Sequence, residues 1–493
     1  MKAGKSTQGM PRVLILSEEI PQTVHAGGII LHRLFAGYGE GEKLKSGKAE
    51  WLTGENAEPR LFVIGPKAHP DAEVLDCPYC ELRMPWQRLE KTRLHRLKRS
   101  LQAAGLIPLP SHRQVVRLLG HFRPEVVVSV MQGTPFISLA ARTARAFGVR
   151  LVLIVHDLNE EFERVYPWAK EPLFRRNRSV YRQAARRLCV SQEMARYLEN
   201  RYGAPGEVMY PNRSEELMPR AADLSLTLRA AADQRTSGLR DERSKEDEDD
   251  FDKGNSDILK DAQLATSSSP QTSAPLTLGY AGSLAYGYGE ELVRLIEVLR
   301  ETGTRIRLFS PRPAGRLAAL NEAHDVVEKC GYRPALEAWR EIQVTCDAVI
   351  LPYANPARDQ ELLYRTHFPS KLTEYLALGM PVIVSGQGFA NGVRYAQAEK
   401  LKNGKAENLK LQAGDCQSFG LANILEVAPN GVVPCTTREE LLGCLWRMKE
   451  DGELRRELAR RATEAGKRDF DPVAIRERFW EVMGGERQSR CGR

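Results

Sequence analysis

Short runs of Val, Ile and Leu recur along the chain, separated by stretches whose apolar residues fall at helical spacing. In the first half the runs predict strands at Arg12–Leu16, Arg60–Ile64, Glu125–Val130, Arg150–Val155, Arg187–Val190 and Glu207–Met209, with helices such as Thr134–Phe147 and Glu193–Tyr202 between them. The runs are continuous rather than alternating, as expected for parallel strands covered on both faces by helices. Beyond residue 275 the pattern restarts. Strands are expected at Leu276–Tyr280, Arg305–Phe309, Asp325–Cys330, Asp347–Leu351 and Pro381–Val384, with helices at Glu290–Glu301, Ala335–Val344, Ser370–Leu378, Arg438–Lys449 and Glu453–Arg468. Residues 41–58 and 391–419, rich in Gly, Lys and Asn or Glu, read as surface excursions.

Residues 221–275 break the pattern. They carry 12 acidic and 7 basic side chains and end in a Ser-, Thr- and Pro-rich stretch. Such a segment cannot bury enough apolar surface to offset its ordering entropy, so it reads as a disordered acidic linker. The expected organisation is a Rossmann-like domain over 1–220, the linker over 221–275, a second Rossmann-like domain over 276–470, and a C-terminal helix over 471–493 packing back on the first domain. Because the linker is net −5 and the chain is +8, the remainder is 8 − (−5) = +13, an excess that favours anionic partners. The nine cysteines form no regular framework, and Cys77 and Cys80 make one close pair, read as part of a surface loop. No apolar run approaches the ~20 residues of a bilayer span, and no secretory signal is visible, so the expectation is a soluble, cytoplasmic protein.

The segment with most chemical content is Phe368-Pro369-Ser370-Lys371-Leu372-Thr373-Glu374-Tyr375, closing on Gly379-Met380-Pro381 and a strand. Pro and Ser open a helix, and Gly then Pro end it. A helix amino end offers unpaired N–H groups and partial positive charge, and Lys371 adds a full one, which suits a diphosphate. Glu374, three residues on, lies on the same face and can accept hydrogen bonds from ribose hydroxyls. The competing reading is a surface pair of little energy.

Pro-Ser-Lys-Leu-x-Glu-Tyr-x-Ala-x-Gly-x-Pro-Val resembles the donor-site segment of group 1 glycosyltransferases, the retaining GT-B class that includes glycogen-synthase-like enzymes. The resemblance implies two Rossmann-like domains facing across a cleft, and a ribose contact at Glu374. Many members carry a second Glu where this chain has Thr366. Cys330-Gly331-Tyr332-Arg333-Pro334 is similar to the stretch lining the nucleobase pocket, which makes Tyr332 and Arg333 the candidate base contacts. Gly279-Tyr280-Ala281-Gly282-Ser283 followed by Gly287-Tyr288-Gly289 resembles the first strand and glycine loop of the donor domain. There the family clamps the diphosphate with an Arg and a Lys; this chain has Ser283 and Tyr288. Lys371 or Arg365 is then the expected substitute. Gly27 and Gly28 fall in what looks like the family's opening glycine loop over the donor phosphates. His156, at the end of the strand 150–155, matches a His close to the reacting sugar. The resemblance therefore makes His156 and Lys371 the catalytic candidates, and Gly27, Gly28, Gly282, Ser283, Tyr332, Arg333, Arg365, Thr366, Ser370, Lys371 and Glu374 the donor-binding set. Ser191 reads as a helix cap rather than a nucleophile.

Residues 83–117 are strongly basic, with Leu89, Leu94, Leu97 and Leu101 at spacings compatible with one helical face. That pattern is expected of a peripheral contact with an anionic membrane surface, and equally of a helix packed on its own domain. The basic residues lack interleaved aromatics, so no nucleic acid is expected. The function implied is transfer of a sugar from a nucleotide-sugar donor, with retention, to a glycan, lipid-linked or small-molecule acceptor, with no metal required. A nucleotide-sugar epimerase of the same architecture and a non-catalytic binding protein are the alternatives.

Overall fold

The computed structural model describes residues 10–24, 26–38, 59–84, 94–107, 109–132, 134–158, 165–217, 275–285, 287–353, 361–402 and 421–484. The expected linker 221–275 lies outside them apart from Pro275, as do residues 41–58. The chain divides into two compact units. The first comprises residues 1–214, 360–370 and 470–493; the second comprises 215–359 and 371–469. Segment 360–370, inside the stretch read as one second domain, thus groups with the first unit, as does the C-terminal helix Pro472–Gly484.

The first unit is built on seven strands: β1 (Val13–Leu16), β2 (Leu61–Gly65), β3 (Tyr79–Glu81), β4 (Val126–Val130), β5 (Arg150–Val155), β6 (Arg186–Cys189) and β7 (Glu207–Val208). They run in the order β3-β2-β1-β4-β5-β6-β7, and all their pairings are parallel. The inner strands β1, β4 and β5 are buried along almost their whole length, which is what the unbroken apolar runs demand. Helix Pro472–Gly484 closes this core. Phe479 packs edge-on against Phe35 at 5.0 Å, and Arg150 donates to the Met483 carbonyl at 2.6 Å.

The second unit has β8 (Thr277–Ala281), β9 (Arg305–Phe309), β10 (Val327–Lys329), β11 (Ala348–Pro352), β12 (Val382–Ser385) and β13 (Val432–Cys435). Their order is β10-β9-β8-β11-β12-β13, and they too are parallel throughout. In each sheet the strand order reverses once, at β1/β4 and at β8/β11. Open α/β sheets bind ligands outside the carboxyl ends of strands at such points. Gly282 follows the end of β8 directly.

Two elements differ from expectation, and a third forms against a local breaker. The Cys77–Cys80 stretch contributes an edge strand rather than a loop, since Tyr79 to Glu81 pair with Val63 to Gly65. Pro167–Gln183 is a helix despite Pro172 in its interior. Its buried residues Ala169, Leu173, Asn177, Val180 and Tyr181 keep helical spacing, so packing overrides the missing N–H. Residues 391–419, read as an excursion, open with helix Asn391–Lys402, whose Val393 and Ala396 are fully buried; residues 403–420 lie outside those described.

Candidate functional site

In the second unit, β8 delivers Gly282 at φ +119°, in the left-handed region that disfavours a side chain. The following loop is pinned locally. Tyr280 donates its hydroxyl to the Ser283 carbonyl at 2.5 Å, and the Ser283 hydroxyl accepts from the Ala285 N–H at 3.1 Å. The N–H groups of Gly282, Ala285, Tyr288 and Gly289 all bond within the protein. They do not supply the open backbone cradle that a glycine loop implies. What lies across the loop is Lys371. Its Nζ sits 4.2 Å from the Tyr288 ring centroid and 5.6 Å from that of Tyr280. A Cβ placed on Gly282 would come within 2.7 Å of Lys371 Cε, so the glycine leaves room for the lysine stem. Lys371 makes no hydrogen bond or ion pair among the described residues. Desolvation lowers its pKa to about 8, because an enclosed ammonium without a counter-charge favours the neutral form.

Lys371 comes from helix Ser370–Ala377. Ser370 and Lys371 are half-buried, and every later residue of the helix is buried, Glu374 included. Two contacts fix the helix. Trp339 meets Tyr375 edge-on at 5.4 Å, and Gly466 lets a neighbouring helix approach so closely that a Cβ there would lie 2.9 Å from the Leu376 carbonyl oxygen. Helix Tyr288–Thr302 carries Glu290 and Glu291 in its first turn, which opposes an anion there. Glu290 pairs with Arg316. Glu291 accepts from Ser385 at 3.2 Å and lies 3.5 Å from Arg294. Burial raises its pKa, against the pull of those two partners.

In the first unit, β5 is followed directly by His156 and Asp157. His156 is buried, and neither ring nitrogen has a hydrogen-bond partner among the described residues. Burial lowers its pKa to about 4; Asp157 pulls it upward and His367 downward. Asp157 Oδ1 lies 2.9 Å from His367 Nδ1. Burial works to raise the Asp157 pKa, but the contacts with His367 outweigh it and hold the carboxyl below its ordinary value. Next to His367, Thr366 is buried, and its hydroxyl donates to the Leu362 carbonyl at 2.8 Å. Ser191 caps its helix by accepting from the Met194 N–H at 3.0 Å, and donates to the Thr366 carbonyl at 2.5 Å. Arg365 bonds Glu361 at 2.5 Å. Gly27 and Gly28 lie inside helix Ala26–Phe35 rather than in a loop before it. Side chains there would press on Glu19 and Gln22. A cavity of about 610 Å³ lined by Glu125, Arg145, Arg150 and Gln183 sits at the amino edge of this sheet, away from His156.

The structure therefore gathers Gly282, Ser283 and Lys371 in one place, and His156 with the Asp157–His367 pair and Thr366 in another. Tyr332 is 74% exposed, and among the described residues Arg333 pairs only with Glu341, at 3.9 Å. No local pattern marks His367, whose partner is remote in the chain, or Tyr288 as the ring beneath Lys371. In 83–117, helix His95–Ala103 buries Lys98, Ser100, Gln102 and Ala103. Leu94 and Leu97 are 52% and 40% exposed; Leu89 lies outside the described residues. Among the described residues no helix is long and apolar enough to cross a membrane, and no group of three His, Cys, Asp or Glu side chains is placed to hold a metal ion.

Residues 49–211 match the family Glycosyltransferase Family 4. No curated protein matches the sequence. Among solved structures, HepE of Anabaena in complex with UDP superposes with a TM-score of 0.55 at 14% identity, covering 96% of this chain and 99% of that one. The catalytic domain of starch synthase IV from Arabidopsis thaliana, bound to ADP and acarbose, gives 0.53 at 12% identity, with 96% and 99% covered. A glycosyltransferase from Rickettsia africae gives 0.52 at 10% identity, with 96% and 97% covered. The chain has the GT-B fold, and its residues 49–211 are similar to Glycosyltransferase Family 4.

Proposed function

We propose that the protein is a glycosyltransferase of the group 1, retaining kind, taking its sugar from a nucleotide-sugar donor held by the second unit. One observation carries this reading: Lys371, without any acidic partner among the described residues, lies across the glycine turn that ends β8, at the sheet's topological switch point. A lone enclosed cation at that place is suited to a diphosphate. The solved relatives that carry UDP or ADP make a nucleoside diphosphate the natural candidate.

In this account the chemistry is departure of the nucleoside diphosphate as the sugar passes through an oxocarbenium-like state. Lys371 and the amino end of its helix stabilise the charge that develops on the leaving group. His156, whose ring nitrogens have no hydrogen-bond partner among the described residues, contributes a neutral imidazole to a sugar hydroxyl. Glu374 holds the ribose. No metal is required. The acceptor is a glycan, a lipid-linked glycan or a small molecule. For a lipid-linked acceptor, the exposed Leu94 and Leu97 beside Arg96, Tyr166 and Trp168 form the contact with an anionic membrane surface.

The test is an NMR time course with UDP-, ADP- and GDP-sugars, with and without candidate acceptors. Acceptor-dependent release of nucleoside diphosphate, with the anomeric configuration kept in the product, is expected. Epimerised nucleotide sugar without acceptor would make the protein an isomerase. Binding with neither outcome would mark the non-catalytic alternative.

A further inference from the structure

Where the resembled family places two loop cations, this chain has Ser283 and Tyr288. We propose that Tyr288 is a positioning residue for the diphosphate subsite: its ring holds the Lys371 ammonium above Gly282, so that one lysine from another element serves where the loop cations are absent. The proposal rests on the nucleotide-sugar reading above.

Three observations support it. The lysine stem occupies the space that a side chain on Gly282 would fill, since a Cβ there would lie 2.7 Å from Cε. Tyr288 is buried, so its ring is a fixed surface 4.2 Å from Nζ. Tyr280 forms a second wall at 5.6 Å and ties the loop down through the Ser283 carbonyl. The third is the disposition of charge around the ammonium. On the loop side, Glu290 is turned to Arg316 and Glu291 to Ser385 and Arg294. On the lysine's own helix, Glu374 is buried one turn further along. Among the described residues, the titratable groups whose rings face Nζ are Tyr280 and Tyr288. The Tyr280 phenol is held well above its ordinary pKa by burial.

The physical sense of the arrangement lies in what a ring does that a carboxylate does not. A carboxylate partner would neutralise Lys371, and a diphosphate would have to displace it. The negative face of an aromatic ring orients the ammonium and favours its charged form while leaving its hydrogen-bond donors available. A charge-assisted bond to phosphate is the stronger interaction and forms without breaking an ion pair.

Two measurements test this on the full chain. Competitive acetylation across pH, read by mass spectrometry, titrates Lys371 in the free protein. Calorimetry with UDP, ADP and GDP between pH 6.5 and 9 reads binding. The wild type is expected to titrate near pH 8 at Lys371, and Tyr288→Phe, which keeps the ring, to match it. Tyr288→Leu should move the titration down by roughly one pH unit and weaken nucleoside diphosphate binding roughly three- to thirtyfold. The alkaline loss of affinity should begin correspondingly earlier. Tyr288→Met serves if the leucine variant does not fold. An unchanged Lys371 titration in the ring-less variants, or a shifted titration with unchanged affinity, overturns the positioning role. A wild type that binds no nucleoside diphosphate overturns the donor-site reading itself and the ligand proposed here with it, while the titrations still decide whether Tyr288 holds the lysine.

Discussion

Acidification offers a test of the buried imidazole at the end of β5. His156 has no partner for either ring nitrogen among the described residues, and burial holds its pKa at about 4 against an ordinary 6.5. In the unfolded chain the ring takes up a proton near its ordinary value, while in the folded chain it stays neutral until about pH 4. Between those values the unfolded state binds more protons, so stability is fully present above about pH 6.5 and falls as the pH drops toward 4. At about 1.4 kcal/mol per pH unit over that interval, the loss is about 3 kcal/mol. Asp157, held below its ordinary value by His367, protonates only at lower pH and does not contribute in this window. The assay is hydrogen exchange of the β5 amides at pH 7, 5.5 and 4.5, corrected for intrinsic rates, because the two units need not unfold together. His156→Gln removes the titrating ring at similar volume. The wild type should lose about 3 kcal/mol more protection than the variant over this range. Equal losses would mean that the ring is solvated or already protonated at pH 7.

Other outcomes follow from the same structure. Gly282→Ala introduces a methyl against Lys371 Cε and a side chain at φ +119°, which should cost about 1–3 kcal/mol in thermal stability and weaken nucleoside diphosphate binding; a neutral effect on binding would mean Lys371 is not needed where it lies. Leu97→Glu should abolish sedimentation with phosphatidylglycerol vesicles and leave phosphatidylcholine vesicles unbound as before; persistent binding would place any membrane contact elsewhere. Glu374→Gln keeps the volume of a buried side chain and should reduce affinity for nucleoside diphosphates more than for inorganic pyrophosphate, since only the former carries a ribose; equal reductions would deny Glu374 a ribose role.

The fold was legible wherever burial on both faces forced unbroken apolar runs, as in β1, β4, β5 and β11. It was illegible where neighbours, not composition, made the element. Tyr79-Cys80-Glu81 is half-buried and reads as a loop until β2 supplies its hydrogen bonds. Lys371 was readable from its Pro-Ser-Lys setting, but not its position over Tyr288, because the two residues meet only when helix Ser370–Ala377 packs beside the turn after β8. The Gly282 loop misled in one respect. Its glycines accommodate the lysine stem and the loop's own bonds, so the local sequence of a phosphate cradle is present while four of its amides are already engaged.

If Lys371 is the cation of a nucleoside diphosphate site, removing its charge must weaken nucleotide binding. The most direct measurement is calorimetric titration of UDP, ADP and GDP into the wild type and Lys371→Met at pH 7. At least one of the three is expected to bind the wild type, and the variant to bind it about ten- to a hundredfold more weakly, the loss of one charge-assisted contact. Equal affinities in the two proteins would contradict it.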